Sequence, residues 1–551
     1  MGSQMMTLTL ANSVKIDDNI RIMPELNQIG AHLRAGVIYA QRQSDERQQI
    51  LSQADKINVV GAGGMLTAAY EQLRNAAENT EEHLLLQNAI RRFFKQSFIV
   101  RDEALVRKSG EELVVELTFA GYLPNDSVSR SQIKEISKLA TAHYKAYEKL
   151  IADRSINLDR SSAWLLETLS VLAANVLVDH AGDHAFIDFA YEYFETAIPR
   201  DALQSTSADE YGAALYVAIQ QALMKSDVAT VRAGLLVRYG TSVESLEAFV
   251  EFNRKIDKML RSTSVEELRR VVDRQGAPLR VIRHMVETQD DFPALLQKRE
   301  VFLDEFERQV NREYSSMMAR INRAIMRSVV FLVITKFLIG IAIEVPYDLW
   351  AHGQIEWLVL MINLFFPPIY MVLLRLTLNV PGYANTEALI KRVDQMLYGG
   401  DNTVLMRRQL AGRTYSSMFS IMYGVMSLAV FALATWLLTL IGFSPVHIII
   451  FFVFFSAASF LGFRLSRLIR DLEIVRSASN GFTFVRDTLY LPFVVAGRWM
   501  SDKYAQVNIV SMVLDMLIEL PLKTILRKIR QWVRTEDDYV KALIALFDKR
   551  N

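Results

Sequence analysis

Apolar residues are gathered into four long runs in the second half of the chain. The runs cover about 328–345, 357–374, 418–442 and 446–463. A helix needs about 20 apolar residues to cross the hydrocarbon core of a bilayer, and each run is close to that length. A single run could be a buried core helix, but four within about 140 residues favour membrane spans. The pattern therefore predicts a four-helix transmembrane bundle.

Basic loops alternate with loops that lack Lys and Arg around these runs. Arginine is frequent in 319–327 and 464–470, whereas 346–356 and 443–445 contain no Lys or Arg. The loop between the second and third runs carries Arg375, Lys391, Arg392, Arg407, Arg408 and Arg413. Lys and Arg concentrate in cytoplasmic loops. The pattern predicts a multi-pass protein of a bacterial-type inner or plasma membrane, with both termini cytoplasmic.

Residues 1–325 show a helical pattern without a comparable apolar run. Apolar residues recur at three- and four-residue spacing in 68–94 and 136–154. We therefore expect an all-α fold with one or more large cytoplasmic helical domains. Only 112–123 could be a strand, and capping boxes at Thr241 and Ser264 predict helix starts. The turn-rich stretch 121–131 separates a predicted region 1–124 from a domain 125–325.

The segment 293–327 has no helix breaker after its first residue, Pro293. One helical face is formed by Phe302, Phe306, Val310, Tyr314, Met318, Ile321 and Ile325. We expect a stalk helix that continues into the first span. It would serve either as a packed linker or as a rigid coupling element.

The tail 464–551 holds fifteen Lys or Arg against ten Asp or Glu. Several of these cations lie on predicted amphipathic helices, and basic amphipathic helices favour contact with anionic lipid. They are Arg464, Arg467, Arg470, Lys523, Arg527, Lys528, Arg530 and Arg534. We expect 487–520 to lie on the membrane surface. Packing on the soluble domain and a fifth span at 507–520 are the alternatives.

Composition narrows the possible chemistry. The net charge of +1 does not indicate a nucleic-acid partner, and the lack of cysteine excludes disulfides and thiolate chemistry. The stretch 58–73 resembles a dinucleotide-binding turn, but Leu66 stands where the third glycine belongs. A turn between helices is the simpler interpretation, and we expect no cofactor.

Three residues spaced by four form the best metal candidate: His180, His184 and Asp188. On one continuous helix they would share a face. However, Gly182 and Asp183 could end one helix and begin the next, which would separate the two histidines. We favour that second interpretation over a metal site.

A lysine, Lys336, lies in the middle of the first predicted span. An ionisable side chain there costs about 3 kcal/mol on insertion scales and indicates a functional or structural role. Glu344 is eight residues away, about 12 Å along a helix, so we expect no direct contact. The predicted partners are Asn363 or a carbonyl freed near Pro367. Residues at matching depth complete a predicted polar layer of Lys336, Glu344, Asn363, Ser427 and Ser456.

The absence of catalytic motifs favours a non-enzyme. Our first hypothesis is a membrane-anchored scaffold whose cytoplasmic domain binds a protein partner or another copy of itself. The alternative is an oligomeric channel or transporter that uses the layer around Lys336. A third hypothesis is a metal-dependent cytoplasmic activity at His180 and His184.

Overall fold

The structure is a computed structural model. It describes residues 26–59, 68, 71, 84–152, 157–198, 208–240, 242–378, 381–399, 417–475 and 481–507. Within these ranges the fold is all-α, as predicted, and contains no strand. A single isolated bridge pairs Lys56 with Ser129. Packing divides the described residues into two units, each discontinuous in sequence.

The second unit holds described residues within 39–184 and 224–262. Its helices are α1 from residue 39 onward (whole helix Gln28–Gln53), α2 (Leu85–Val100), α3 (Glu103–Phe119), α4 (Arg130–Ala152), α5 (Leu158–Leu177), the start of α6 (Ala181–Ala197), α8 (Val228–Arg238) and α9 (Leu246–Met259). Apolar faces of α2, α3, α4 and α5 form its main core. Phe98 and Tyr144 meet edge to face in that core, with ring centroids 5.3 Å apart.

The stretch predicted as a possible strand is helical. Residues 112–119 belong to α3, which ends in a Schellman cap: Gly121 has φ 81° and the Tyr122 N–H donates to the Leu117 carbonyl. The turn at 121–131 then connects α3 to α4 within one shared core. Of the predicted helix starts, Thr241 lies outside the described residues and the next helix, α9, begins at Leu246, whereas α10 begins at Thr263, one residue before Ser264.

The first unit holds described residues within 26–38, 185–223 and 263–507. Its remaining helical elements are α7 (Ala208–Ile219), the π-helix π1 (Gln220–Met224), α10 (Thr263–Thr288), α11 (Phe292–Leu295), α12 (Arg299–Ile339), the π-helix π2 (Gly340–Glu344), α13 (Val345–Ala351), α14 (Trp357–Thr377), α15 (Tyr383–Tyr398), α16 (Ser417–Leu440), α17 (Pro445–Arg470) and α18 (Gly481–Val507).

Four described helices are long and apolar enough to cross a membrane: α12 with its extension to Ala351, α14, α16 and α17. The bent pair α5–α6 passes the same test only if it is counted as one span. The apolar helices expose hydrophobic side chains and bury charged ones. Phe331 and Phe337 are 60% and 55% exposed, whereas Lys336 is 1% exposed. This is the reverse of a water-soluble surface and is the pattern expected of helices in lipid.

The stalk helix differs from the prediction at its start. Pro293 lies in the short helix α11, and the long helix α12 begins at Arg299 and continues without a break into the first apolar run. Its buried face includes Met317 in place of the predicted Met318. The same helix continues past Pro346 to Ala351 through π2.

Two further segments form helices that the sequence prediction did not define. Part of the basic loop between the second and third apolar helices forms α15, whose Leu389, Val393 and Met396 are buried. The described part of the tail forms α18, which packs against α16 and α17, and the rest of the predicted surface segment, 508–520, lies outside the described residues. At the α17–α18 crossing, a Cβ on Gly497 would collide with the Ser456 carbonyl oxygen.

Candidate functional site: buried charges between the apolar helices

Lys336 forms a direct ion pair with Glu344, contrary to the sequence prediction. Lys336 Nζ lies 2.6 Å from Glu344 Oε1, and both side chains are 1% exposed. The Phe454 ring on α17 covers the ammonium group, with its centroid 4.9 Å from Nζ. No backbone carbonyl near Pro367 is needed as a partner, and α14 runs through both of its prolines.

The π-helix π2 explains why the two residues can meet. The Val345 N–H donates to the Gly340 carbonyl, five residues back, which adds one residue to a turn. In an unbroken α-helix, eight residues would place the two side chains about 80° apart around the axis. With one residue absorbed in the wide turn, the offset falls to about 20° and the axial separation to about 10 Å. Four lysine methylenes and two glutamate methylenes together can span about that length.

Asn363 on α14 completes this part of the site. Its Nδ2 donates to Glu344 Oε1 at 2.6 Å, so this oxygen accepts from both the lysine and the amide. The same Nδ2 lies 3.4 Å from the His447 carbonyl oxygen on α17. Asn363 is therefore part of the predicted layer, but it reaches Lys336 only through the carboxylate.

A second buried group, which we call the His–Asp cluster, consists of Asp348, His352 and His447. Asp348 Oδ1 lies 3.4 Å from His447 Nε2 and 3.6 Å from His352 Nδ1. Asp348 and His447 are almost fully buried, whereas 37% of the His352 side chain is exposed. The Ser444 hydroxyl orients the His447 ring through Nδ1 at 2.8 Å.

Three buried polar atoms in this region have no hydrogen-bond partner among the described residues: Asp348 Oδ1, His447 Nε2 and Asn363 Oδ1. The Asp348–His447 contact is close enough for an ion pair, but its angles do not make a hydrogen bond. A buried polar atom without a partner costs about 1–3 kcal/mol. The region thus carries more polarity than helix packing requires.

The remaining members of the predicted layer lie elsewhere. Ser427 donates to the Tyr423 carbonyl on its own helix, α16. Ser456 is buried on α17, where α18 crosses it. Sequence analysis also missed the His–Asp cluster. The available signal was that Asp348 and His447 are both predicted to lie at the non-cytoplasmic ends of their spans, at the same depth.

The predicted metal residues are not brought together as a site. His180 precedes α6 and its Nδ1 lies 3.3 Å from Asp183 Oδ2, while His184 and Asp188 are exposed on α6. Gly182 is the second residue of α6 and not a helix cap. In the described part of the chain, no group of three or more His, Cys, Asp or Glu residues could hold a metal ion.

Of the predicted membrane-surface cations, only those on α17 are described. Arg464, Arg467 and Arg470 are exposed at its last turns, and Arg470 stacks on Phe463 at 5.0 Å. Lys523, Arg527, Lys528, Arg530 and Arg534 lie outside the described residues, as does most of the glycine-containing stretch 58–73. No family model, curated protein or solved structure matches the chain.

Proposed function

We propose that this chain is a proton-conducting membrane protein whose proton path runs between α12, α14 and α17. One observation carries the proposal: two groups of buried side chains, Lys336 with Glu344 and Asn363, and the rings of His447 and the half-exposed His352 with Asp348, meet where Asn363 contacts the His447 backbone carbonyl. Buried acids, bases and histidines within spans are the residues from which proton relays are built. This proposal develops the channel or transporter hypothesis.

The geometry supports stepwise proton transfer. A proton taken up at His352 would pass by way of Asp348 to His447. The Asp348 carboxylate lies 3.6 Å from the His352 ring and 3.4 Å from the His447 ring. From there it would reach Glu344 beside Asn363. The three buried atoms without hydrogen-bond partners are the positions where a water molecule would carry it across. Beyond Phe454 on α17, the buried Ser459 hydroxyl offers a further step toward the Arg470 end.

Proton flux into liposomes tests this function. The full chain is reconstituted with a pH-sensitive dye inside, and a potassium diffusion potential drives protons inward. We expect acidification well above that of protein-free vesicles, reduced at least tenfold by Lys336→Met and by Glu344→Gln. Ser427→Ala is the matched control, because this hydroxyl bonds only within its own helix, and it should conduct as the wild type. Equal rates in protein-free and wild-type vesicles would refute the proposal.

The membrane topology is part of the proposal. Four spans with both termini in the cytoplasm of a bacterial-type inner or plasma membrane place the His–Asp cluster on the non-cytoplasmic side. Arg464, Arg467 and Arg470 then meet anionic headgroups on the cytoplasmic side. Because the chain has no cysteine, single substitutions report topology cleanly. An impermeant maleimide should label Gln354→Cys in intact cells and Lys255→Cys only after permeabilisation. The opposite labelling would reverse the orientation.

A second candidate function is the binding of a protein partner, or of another copy of the chain, by the cytoplasmic helices, as in a membrane-anchored scaffold. The observation that favours it is a cationic groove in the second unit. Reproducible capture of one partner by the nanodisc-embedded chain, or a mass above one copy per particle, would support it. A strictly monomeric particle that captures nothing would count against it.

A further inference from the structure

A groove of about 830 Å³ lies in the second unit between α3 and α4, and Ile57, Val243 and Glu244 also line it. Seven cationic side chains line it: Arg107, Lys108, Arg130, Lys134, Lys138, Lys145 and Lys149. Only two carboxylates, those of Glu111 and Glu244, do so. The chain as a whole has a net charge of +1, so this concentration of positive charge is local.

The spacing of the cations on α4 gives the groove a direction. Arg130, Lys134, Lys138, Lys145 and Lys149 follow one another at intervals of four, four, seven and four residues, which keeps them on one face. They extend over about 28 Å of helix. In the described part of the chain, no ion pair within 4 Å neutralises the four lysines, whereas Arg130 pairs with Asp55.

The field of these cations acts on a neighbouring carboxylate. Arg107 donates a hydrogen bond of 2.7 Å to Glu103. This bond and the positive charge of Arg107 hold the pKa of Glu103 below its ordinary value, and the charge of Lys145 makes a smaller contribution. Glu103 is near the groove but does not line it. An acidic ligand inside the groove would meet several such cations at once.

Apolar side chains also line the groove. Ala142 on α4, with Ile57 and Val243, is partly exposed and provides hydrophobic surface near the lysines, whereas Ile133 and Ala146 are buried in the core of the unit. Gly110 on α3 allows close approach of the two helices, because a Cβ there would collide with the Ile133 carbonyl oxygen and the Ser137 hydroxyl. The lining contains no aromatic ring on which a nucleobase could stack. Partly exposed apolar side chains among cationic ones fit a helix that is apolar on one face and acidic at its flanks.

We propose that this groove binds an acidic amphipathic helix of a protein partner, with the apolar face of the helix on Ala142, Ile57 and Val243 and its carboxylates against the lysines of α4. The inference rests on the second candidate function and names the chemistry of the partner. It is independent of the proton path.

A binding experiment with defined peptides tests the groove. The full chain in zwitterionic nanodiscs is titrated into a labelled peptide that forms an amphipathic helix with glutamates at its flanks, and anisotropy is recorded. Three comparison probes are a peptide with the apolar face changed to serine, a scrambled acidic peptide, and polyphosphate. We expect the amphipathic peptide to bind at least tenfold more tightly than each of them, and to gain helicity on binding.

Charge reversal then locates the site. Lys134→Glu with Lys138→Glu should weaken binding at least tenfold. Lys255→Glu with Lys258→Glu is the matched control, because both lysines are exposed on α9 outside the groove, and it should bind as the wild type.

Several outcomes would overturn the proposal. Equal binding of polyphosphate or the scrambled peptide would mean general attraction of polyanions, and binding only to anionic vesicles would mean a lipid surface. An unchanged affinity in the Lys134→Glu, Lys138→Glu variant would place the peptide elsewhere. If the peptide fails but the nanodisc-embedded chain still captures a partner, the groove is refuted while the interaction function stands.

Discussion

Removing one member of the buried ion pair should destabilise the protein far more than removing both. In Lys336→Met, Glu344 stays 1% exposed with only Asn363 as a donor; in Glu344→Gln, the buried ammonium group keeps the Phe454 ring and a neutral amide oxygen but loses its counter-charge. The double variant replaces the pair by two neutral side chains of similar length, and glutamine can still accept from Asn363. The quantity to measure is therefore the difference in free energy of unfolding between the single variants and the double variant.

The magnitude follows from the geometry. At a separation of 2.6 Å, the attraction is roughly 6 kcal/mol at an effective dielectric constant of about 20. Desolvation of the two ions costs several kcal/mol for each, so the pair gains little over a neutral pair. A single variant loses the attraction but keeps one desolvated ion. We expect each single variant to be less stable by about 3–5 kcal/mol, and the double variant to lie within about 1 kcal/mol of the wild type.

Unfolding in mixed micelles with increasing dodecyl sulfate measures these differences. Helices persist in that unfolded state, so the losses of stability measured for the single variants should lie toward the lower end of the expected range. Ser427→Ala serves as the control and should change stability little, because its hydroxyl bonds only to Tyr423. Single variants as stable as the wild type, or a double variant as unstable as the sum of the two, would refute the reasoning.

Three further predictions concern other buried groups. Burial lowers the pKa of His143 to about 4 from an ordinary value near 6.5, so the unfolded chain takes up a proton that the folded chain refuses. The free energy of unfolding should thus be fully retained above pH 6.5 and fall by roughly 3 kcal/mol between pH 6.5 and pH 4. Hydrogen exchange of the α4 amides should show this loss in the wild type but not in His143→Phe. Arg232→Met leaves the buried Asn253 Oδ1 without its donor, while Asp257 keeps its pair with Arg160, and should cost about 1–3 kcal/mol in thermal unfolding. Gly497→Ala should cost about 1–3 kcal/mol in the micelle assay, whereas Gly424→Ala, with open space around it, should change stability by less than about 0.5 kcal/mol.

Sequence analysis succeeded where one helix alone determines the answer. The apolar runs were recognised because length and hydropathy are properties of a single segment, and the buried face of α12 follows from the three- and four-residue spacing of Phe302, Phe306, Val310 and Tyr314. The helix α15 carried the same signal in Leu389, Val393 and Met396. Its many charges made it look like a loop.

Contacts that depend on irregular helix turns and on helix crossings cannot be predicted from the pattern of one segment. The distance between Lys336 and Glu344 was taken from an unbroken α-helix, and no residue pattern announces the π-turn at Gly340. The packing of α18 depends on the close approach at Gly497, which only the crossing with α17 reveals. The His–Asp cluster joins residues about a hundred positions apart, Asp348 and His447.

The energetic balance of the site favours function over stability as the reason for its charges. The ion pair adds little relative to a neutral pair, and three buried atoms without hydrogen-bond partners each carry a cost. If stability were the purpose, apolar side chains at these positions would pack the helices at least as well. The double variant Lys336→Met, Glu344→Gln separates the two explanations. A protein that keeps its stability and loses its proton flux would show that the pair serves conduction, whereas one that loses stability and keeps the flux would show that the pair serves only to join the helix turns.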